Sequence, residues 1–394
     1  ATITGTSTSG VGTLTITNSG GTTFSGAVSA GSLTITDSVA STAVTFNGDL
    51  TLTTGMTVSA GNAYNVAING TTNTIAGTTT FANTGTLALG NGSDTINFTG
   101  GVVATAPSAI TVNGTVTAAG TGVITLGDSN TAVTIGGTST IGGTSTGQIT
   151  TGAIALNNSL TVGATAATPI TLTTVTGPSS GSANLTINTA GAVTVGGAVG
   201  TNVGTLTITN SGGTTFSGTV AATTVTLSNT TGSIVFNDAL TATTLNTAAQ
   251  GYNVELNGST GTITNAVTFS NTGALALGAS GGTLTFNGGL TATAPSASTL
   301  KGTITSSNDA MSFGPITLGA NTTLNTVATT NVADLSIGAV TGATYSLTLR
   351  TGAVSGAEIT GTSTSGVGTL TITNSGGTTF SGAVSAGTLV ITDG

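Results

Sequence analysis

Short runs that alternate apolar with hydroxyl-bearing residues recur along almost the whole chain. Each run covers roughly four to six residues, and turn residues such as Gly and Asn separate it from the next. An alternation of period two is typical of a strand with one buried and one exposed face. No segment has the 3.6-residue period of a helix. The pattern therefore predicts an all-β protein, with strands at positions such as Leu14/Ile16, Leu33/Ile35, Leu50/Leu52, Val66/Ile68, Leu87/Leu89 and Ile110/Val112.

A second pattern, Phe-x-x-x-Leu or Phe-x-x-x-Val, marks the points where runs end. Seven of the ten Phe residues lie in it, namely Phe24, Phe46, Phe98, Phe216, Phe236, Phe286 and Phe380. Asn-Gly or Gly-Gly often stands between the two apolar residues, and such pairs supply the positive φ of a tight turn. We interpret the motif as strand, corner, strand, and we expect these seven Phe side chains to pack in the core.

The chain also contains internal repeats that are much longer than a single strand. Residues 3–31 recur unchanged as residues 359–387, and their central part, residues 12–26, recurs unchanged as residues 204–218. Identity over such lengths is typical of repetitive proteins in which similar units stack on one another.

The repeats divide the chain into two long units and the start of a third. We place the first unit at 1–192, the second and shorter unit at 193–356, and the beginning of the third at 357–394, all in one continuous solenoid. Neither end has the polar cap that usually closes such an array. This favours either a longer repetitive chain or association end to end.

Two architectures fit the strand–corner units. An array of β-sandwich domains would have linkers and aromatic-rich cores, whereas aromatic residues make up only 3% of this chain. A parallel β-helix, or β-solenoid, needs only small aliphatic residues and an occasional Phe in a narrow core. We favour the parallel β-helix, with about 20 residues per coil.

Composition narrows the possible functions. The chain has a formal net charge of −8, with two basic and ten acidic residues, and it lacks His, Cys and Trp. Two basic residues give no electrostatic basis for binding nucleic acid. No apolar stretch approaches the ~20 residues of a membrane-spanning helix. The abundant Thr, Val and Ile argue against intrinsic disorder.

Candidate chemistry is sparse. General acid and base catalysis needs positioned groups, but the carboxylates are scattered and differ between matched units, as where Glu255 replaces Ala67. Residues 89–94 faintly resemble a calcium-binding turn, but the matched turn in the second unit has lost Asp94. We therefore expect no enzyme activity, no catalytic or cofactor-binding residues, no metal site and no cofactor.

The runs at residues 12–26, 204–218 and 368–382 resemble the β-strand repeats of large bacterial surface proteins. Autotransporter passengers and filamentous-haemagglutinin-like adhesins belong to this group. The resemblance implies a secreted, cell-surface protein with a right-handed β-helical stalk and a role in adhesion or in an extracellular matrix.

These observations favour a structural subunit of an extracellular bacterial fibre or surface stalk. We expect its partners to be copies of itself, joined head to tail through the β-helical repeats, and we expect no membrane-spanning segment. The alternative is an adhesin stalk that binds a carbohydrate or a surface. Ice binding is a weaker alternative, because Thr-x-Thr runs abound but the strand spacing varies too much to predict a regular face.

Overall fold

The computed structural model describes residues 1–164, 166–330, 332–352 and 354–392. Every regular element in these ranges is a β-strand, and none of their residues lies in a helix. The chain forms a parallel β-solenoid of about 18 turns, each of roughly 21 residues. The predicted parallel β-helix with about 20 residues per coil is confirmed, and the sandwich array is not observed.

The chain divides into two compact units. The first contains Ala1–Thr205 and Asn210–Gly212, and the second contains Leu206–Thr209 and Gly213–Gly394. The strands of the first unit are β1 (Ile3–Gly5), β2 (Thr8–Ile16), β3 (Thr22–Phe24), β4 (Val28–Ile35), β5 (Ala43–Phe46), β6 (Leu50–Val58), β7 (Asn65–Ile68), β8 (Thr72–Ile75), β9 (Thr79–Phe81), β10 (Thr86–Phe98), β11 (Gly101–Ala104), β12 (Ala109–Ala118), β13 (Val123–Leu126), β14 (Val133–Ile135), β15 (Ser139–Gly143), β16 (Ile149–Thr151), β17 (Ile154–Leu156), β18 (Leu160–Val162), β19 (Ile170–Leu172), β20 (Val175–Thr176), β21 (Leu185–Asn188) and β22 (Val193–Val195).

Strand β23 (Val199–Asn210) has residues in both units. The strands of the second unit are β24 (Thr214–Phe216), β25 (Val220–Leu227), β26 (Ser233–Phe236), β27 (Leu240–Thr247), β28 (Asn253–Leu256), β29 (Thr260–Ile263), β30 (Val267–Thr268), β31 (Leu275–Leu277), β32 (Thr283–Phe286), β33 (Leu290–Ala292), β34 (Ser298–Ser306), β35 (Met311–Phe313), β36 (Ile316–Ala328), β37 (Leu335–Thr341), β38 (Leu347–Gly352), β39 (Glu358–Thr373), β40 (Gly377–Phe380) and β41 (Val384–Thr392).

In the first unit, each coil adds one strand, or one half of a bent strand, to each of three parallel sheets. Sheet A contains β1, β3, β5, β7, the first halves of β10 and β12, β14, β17, β20 and the start of β23. Sheet B contains the first parts of β2, β4 and β6, then β8, the second halves of β10 and β12, β15, β18 and β21. Sheet C contains the second parts of β2, β4 and β6, then β9, β11, β13, β16, β19 and β22.

The second unit repeats this arrangement. Sheet D contains β24, β26, β28, β31, the starts of β34 and β36, the end of β37, the middle of β39 and the start of β41. Sheet E contains the starts of β25 and β27, then β29, β32, the second parts of β34 and β36, β38 and the ends of β39 and β41. Sheet F contains the ends of β25 and β27, then β30, β33, β35, the starts of β37 and β39, and β40.

The core lies between the three sheets of each unit and follows the alternation in the sequence. In β12, Ile110, Val112 and Val116 are fully buried, whereas Thr111 and Thr115 between them face outward and are partly exposed. The outward Thr side chains suit a strand because their branched Cβ packs well on a pleated surface. One inward aliphatic residue per two positions is enough to fill so narrow a core.

The corner motif lies where a strand ends. Phe46 is the last residue of β5, and Leu50 is the first residue of β6. The predicted positive φ is found at Gly289, with φ of 87°, but it is wrong at Gly48, which lies outside the positive-φ region. A Cβ on Gly48 would lie 2.2 Å from the carbonyl carbon of Gly26 on the preceding coil. Glycine is required there because the coils approach closely, not because the turn is left-handed.

Candidate functional site

Four of the seven predicted core Phe residues form two stacked pairs on neighbouring strands. The rings of Phe24 and Phe46 lie 5.5 Å apart at an interplanar angle of 2°, and those of Phe216 and Phe236 lie 4.9 Å apart at 8°. All four are buried. Offset stacking of this kind adds to the stabilisation from buried area alone.

Two further residues of the motif meet a Phe that lies outside it. Phe98 contacts Phe81 edge to face at 6.0 Å, and Phe286 contacts Phe269 in the same way at 6.2 Å. All four side chains are buried. Sequence reasoning missed Phe81 and Phe269, although they hold matched positions in the two repeats, and that recurrence was the available signal.

Phe380, the seventh residue of the motif, differs from the others because it is only half-buried. It ends β40 in the last coil of the second unit. Its repeat equivalent, Phe24, is covered by Phe46 of the following coil, whereas no described residue follows β41 to cover Phe380.

The edge formed by β40 and β41, which we call the C-terminal coil edge, leaves core residues exposed. Val384 is 42% exposed, Leu389 is 53% exposed and Ile391 is 68% exposed. With Phe380 and Leu370 they line an open depression of about 430 Å³. Side chains that fill the core in every earlier coil of this unit here form an apolar surface.

The edge formed by β1 and β2, which we call the N-terminal coil edge, is the corresponding surface of the first unit. Ile3 is 45% exposed, and Leu14 is half-buried. These two coil edges are the places where the parallel ladders end within the described residues, and their backbone N–H and C=O groups lack a neighbouring strand on one side.

Carboxylates of the first unit accept hydrogen bonds from backbone N–H groups in the turns between strands. Asp37 accepts hydrogen bonds from the backbone N–H groups of Ser38 and Asn62, at 2.8 and 2.9 Å. Asp94 accepts one from the backbone N–H of Asn91 at 2.8 Å, and Asp128 accepts one from that of Thr131 at 2.9 Å. Across the described ranges, no three acidic side chains lie close enough together to hold a metal ion.

Sequence reasoning also missed several buried polar side chains. Asn73 is fully buried; its Oδ1 accepts from Leu50 N at 2.9 Å, and its Nδ2 donates to the carbonyl oxygens of Gly70 and Thr95 at 2.5 and 3.2 Å. It thereby connects three successive coils. The run Thr72–Ile75 predicts an aliphatic residue at this inward position, so the pattern alone gave no signal for the amide.

Two tyrosines, Tyr64 and Tyr252, occupy matched corners of the two repeats. Tyr64 and Tyr252 are both buried, and their hydroxyls donate to the carbonyl oxygens of Ser59 and Leu227, both at 2.7 Å. Burial, assisted by the nearby carboxylate of Asp37, raises the pKa of Tyr64 to about 12. Burial also raises the pKa of Tyr252 above its usual value, with partial opposition from a backbone hydrogen bond.

Sheet E of the second unit presents two outward columns rich in Thr. Its strands keep the same register, although the loops between them vary in length. The sequence-based expectation that variable spacing would prevent a regular face is wrong for this sheet. The columns are Thr260, Thr283, Thr303, Thr323, Thr348 and Thr371, and Thr262, Thr285, Thr305, Asn325, Arg350 and Thr373.

A membrane-crossing helix, which would have to be long and apolar, is not found in the part of the chain that the structure describes. Comparison with known proteins identifies no relative of this chain. No protein-family model, no curated protein and no solved structure matches the chain.

Proposed function

We propose that the chain is a structural subunit of an extracellular bacterial fibre or surface stalk, and that copies assemble head to tail by continuing the β-solenoid. It acts by stacking coils and performs no catalysis. The bacterial-surface setting rests on the resemblance of residues 12–26, 204–218 and 368–382 to surface-protein repeats.

The observation that carries the proposal is that one coil sequence is used at three points of the chain. In each copy the Leu-Thr-Ile run and the Thr-Thr-Phe run form strands, in β2 and β3, in β23 and β24, and in β39 and β40. A coil that fits several different neighbours is suited to an array that grows by addition, because each coil needs contacts only with the coils before and after it.

The burial of inward side chains between neighbouring coils supplies the driving force. Within the chain, neighbouring coils already bury each other's inward side chains: Leu14 lies beside Leu33 and Ile16 beside Ile35, and both Leu33 and Ile35 are fully buried. Burial of a Leu or Ile side chain contributes roughly 1.5–3 kcal/mol, and the ladder of backbone hydrogen bonds continues at the same time. With only two basic and ten acidic residues, little charge opposes this contact.

Sedimentation velocity over a wide concentration range, with negative-stain electron microscopy of the same samples, tests the proposal. We expect oligomers that lengthen with concentration and persist at high salt, because the contact is apolar. Discrete particles at every concentration would contradict assembly by the chain alone and would favour the adhesin stalk, for which a carbohydrate or surface ligand is then sought.

Ice binding is the second candidate, and the Thr columns of sheet E favour it. Neighbouring strands repeat at about 4.8 Å, and alternate residues along a strand at about 6.7 Å, so the columns form a grid of mainly methyl and hydroxyl groups, interrupted in one column by Asn325 and Arg350. Thr285 lies within the grid. If the grid binds ice, Thr285→Lys abolishes inhibition of ice recrystallisation, whereas Thr45→Lys in sheet A leaves it unchanged; no inhibition by the parent chain rejects this candidate.

A further inference from the structure

We propose that the second unit binds neutral oligosaccharides in a groove that follows the corner between sheets D and E, which we call the corner groove. The groove consists of two adjoining depressions of about 410 and 360 Å³, which share Ser280 in their lining. It is formed by outward side chains and turns of successive coils rather than by a coil edge. The inference is therefore independent of whether copies assemble.

The corner groove crosses five paired strands of the second unit. Strands β28, β31, β34, β36 and β38 follow one another in parallel, and each contributes residues to the lining. Four steps of about 4.8 Å give a length of about 19 Å across the coils. A groove of that length is suited to a chain-like ligand of several units rather than to a single small molecule.

The first depression has one charged side chain of each sign. Glu255 lies on β28 and Lys301 on β34, and the strand between them, β31, has only Ala276 at the outward position beside Glu255. The two strands are two ladder steps apart, or about 9.6 Å, so the small Ala276 leaves space between the two charged groups. Together they provide a strong acceptor and a strong donor with no net charge.

Gly319 lets the Lys301 side chain lie along the floor of the groove. A Cβ on Gly319 would lie 2.8 Å from Cε and 3.1 Å from Cγ of Lys301. Lys301 is half-buried as a result. Because its aliphatic stem packs against the backbone, the ammonium group is held beside the groove.

The second depression is lined by hydroxyl and amide groups. Its polar side chains include Ser280, Thr303, Asn321, Thr323, Ser346 and Thr348. Asn321 Oδ1 accepts a hydrogen bond from Ser346 N at 3.0 Å, which fixes the orientation of the amide. The described lining of the two depressions contains no aromatic or large aliphatic side chain, so the groove suits a polar ligand.

These groups match the chemistry of a sugar. A sugar hydroxyl both donates and accepts hydrogen bonds, so it can pair with carboxylate, ammonium, hydroxyl and amide groups alike. The charges in the lining cancel, and the chain as a whole carries a net charge of −8. A neutral oligosaccharide therefore fits better than an acidic one, which the excess of carboxylates repels.

The matched surface of the first unit lacks both charges. Ala67 stands at the position of Glu255, and Asn113 stands at the position of Lys301. Asn113 is instead turned toward the preceding coil, where its Nδ2 donates to the carbonyl oxygen of Gly90 at 3.3 Å. We therefore assign the site to the second unit alone, and the first unit supplies a matched control.

Binding of defined oligosaccharides, measured by isothermal titration calorimetry, tests the proposal. The neutral probes are cellohexaose, xylohexaose, mannohexaose and maltohexaose, and the acidic probe is the galacturonic acid hexamer. We expect at least one neutral probe to bind. Lys301→Gln should weaken that binding about tenfold or more, because a charge-assisted hydrogen bond is lost. Ala276→Gln should weaken it to a similar extent by filling the space between Glu255 and Lys301.

Two matched variants serve as controls. Ala88→Gln makes the same change as Ala276→Gln at the matched outward position of the first unit. Arg350→Gln removes the same charge as Lys301→Gln from a residue outside the described lining. Both controls should bind within about twofold of the parent chain. Thermal unfolding of all four variants should match that of the parent, which separates loss of binding from loss of the fold.

The possible outcomes are distinct. Binding of a neutral probe that is weakened only by the two groove variants supports the site. The proposal is overturned if no neutral probe binds, if only the galacturonic acid hexamer binds, or if the controls weaken binding as much as the groove variants do. None of these results bears on assembly, which sedimentation velocity measures separately.

Discussion

At the scale of single residues, the position of a Phe in the coil decides how much it stabilises the protein. Phe46 is fully buried and stacked on Phe24, whereas Phe380 shares its motif but is half-buried at the C-terminal coil edge. We expect Phe46→Ala to lower the free energy of unfolding by about 3–5 kcal/mol through the cavity it leaves. Phe380→Ala, the matched control, should lower it by about 1 kcal/mol or less. Urea denaturation followed by circular dichroism measures both, and equal losses would contradict the assigned core.

Glycine is needed at some corners because neighbouring coils approach each other too closely there for a side chain. A Cβ at Gly48 would lie 2.2 Å from Gly26, whereas a Cβ at Gly92 would have no heavy atom within 4 Å. We expect Gly48→Ala to destabilise by about 1–3 kcal/mol because the backbone must shift. Gly92→Ala should be neutral or stabilise by about 0.4–1 kcal/mol, since it restricts only the unfolded chain. Thermal unfolding of the two variants distinguishes these effects. If only Gly92→Ala lowered the unfolding temperature, the close approach of coils at Gly48 would be contradicted.

At the scale of the element, Asn73 connects the coil of β8 to its neighbours on both sides. Its removal leaves Leu50 N, Gly70 O and Thr95 O without their side-chain partner. We expect Asn73→Ala to cost about 1–3 kcal/mol, the usual penalty for leaving buried polar groups unsatisfied. Asn69→Ala, which removes only an exposed contact with Asn47, should change stability by less than about 0.5 kcal/mol. Hydrogen exchange at the Leu50 amide gives a local readout, and unchanged protection there would contradict the bridging role.

The two buried tyrosines, Tyr64 and Tyr252, predict that the free energy of unfolding falls at alkaline pH. The pKa of Tyr64 is about 12 in the folded chain and 10.0 when unperturbed, so between these values the folded state holds a proton that the unfolded state has lost. Stability is therefore complete below about pH 10 and falls as the pH rises toward 12. Tyr252, whose pKa is also raised, acts in the same direction.

Urea midpoints at about pH 8 and about pH 11 measure this effect. We expect the midpoint of the parent chain to fall between the two pH values, and that of the double variant Tyr64→Phe/Tyr252→Phe to fall less. The double variant should be the less stable at pH 8, because it lacks the hydrogen bonds to Ser59 and Leu227. An identical pH dependence in both proteins would show that these hydroxyls are not the groups responsible.

The strands and corners of this fold were predictable, because a period-two alternation and the Phe motif are local signals. The run Ala109–Ala118 became β12 as its pattern requires, and Phe46 and Leu50 flank a corner. The inward amide of Asn73 and the contact that requires Gly48 were not predictable, since both depend on the neighbouring coil rather than on adjacent residues. Backbone pairing between coils sets the register, which is why the Thr columns of sheet E align despite unequal loops.

At the scale of the whole molecule, the candidate site was only partly visible in the sequence. Identity between residues 3–31 and 359–387 indicated that coils could add end to end. Which side chains form the two edges became clear only from the burial of each residue in the coil, as in the contrast between Ile16, which is 3% exposed, and Ile391, which is 68% exposed.

Cryo-electron microscopy of the assembled chain, with helical reconstruction, shows whether copies assemble by continuing the β-solenoid. We expect copies joined end to end, with coils spaced at about 4.8 Å along the axis and the same spacing maintained across each junction. Separate particles, or filaments whose copies touch side by side through the outward Thr faces, would contradict it.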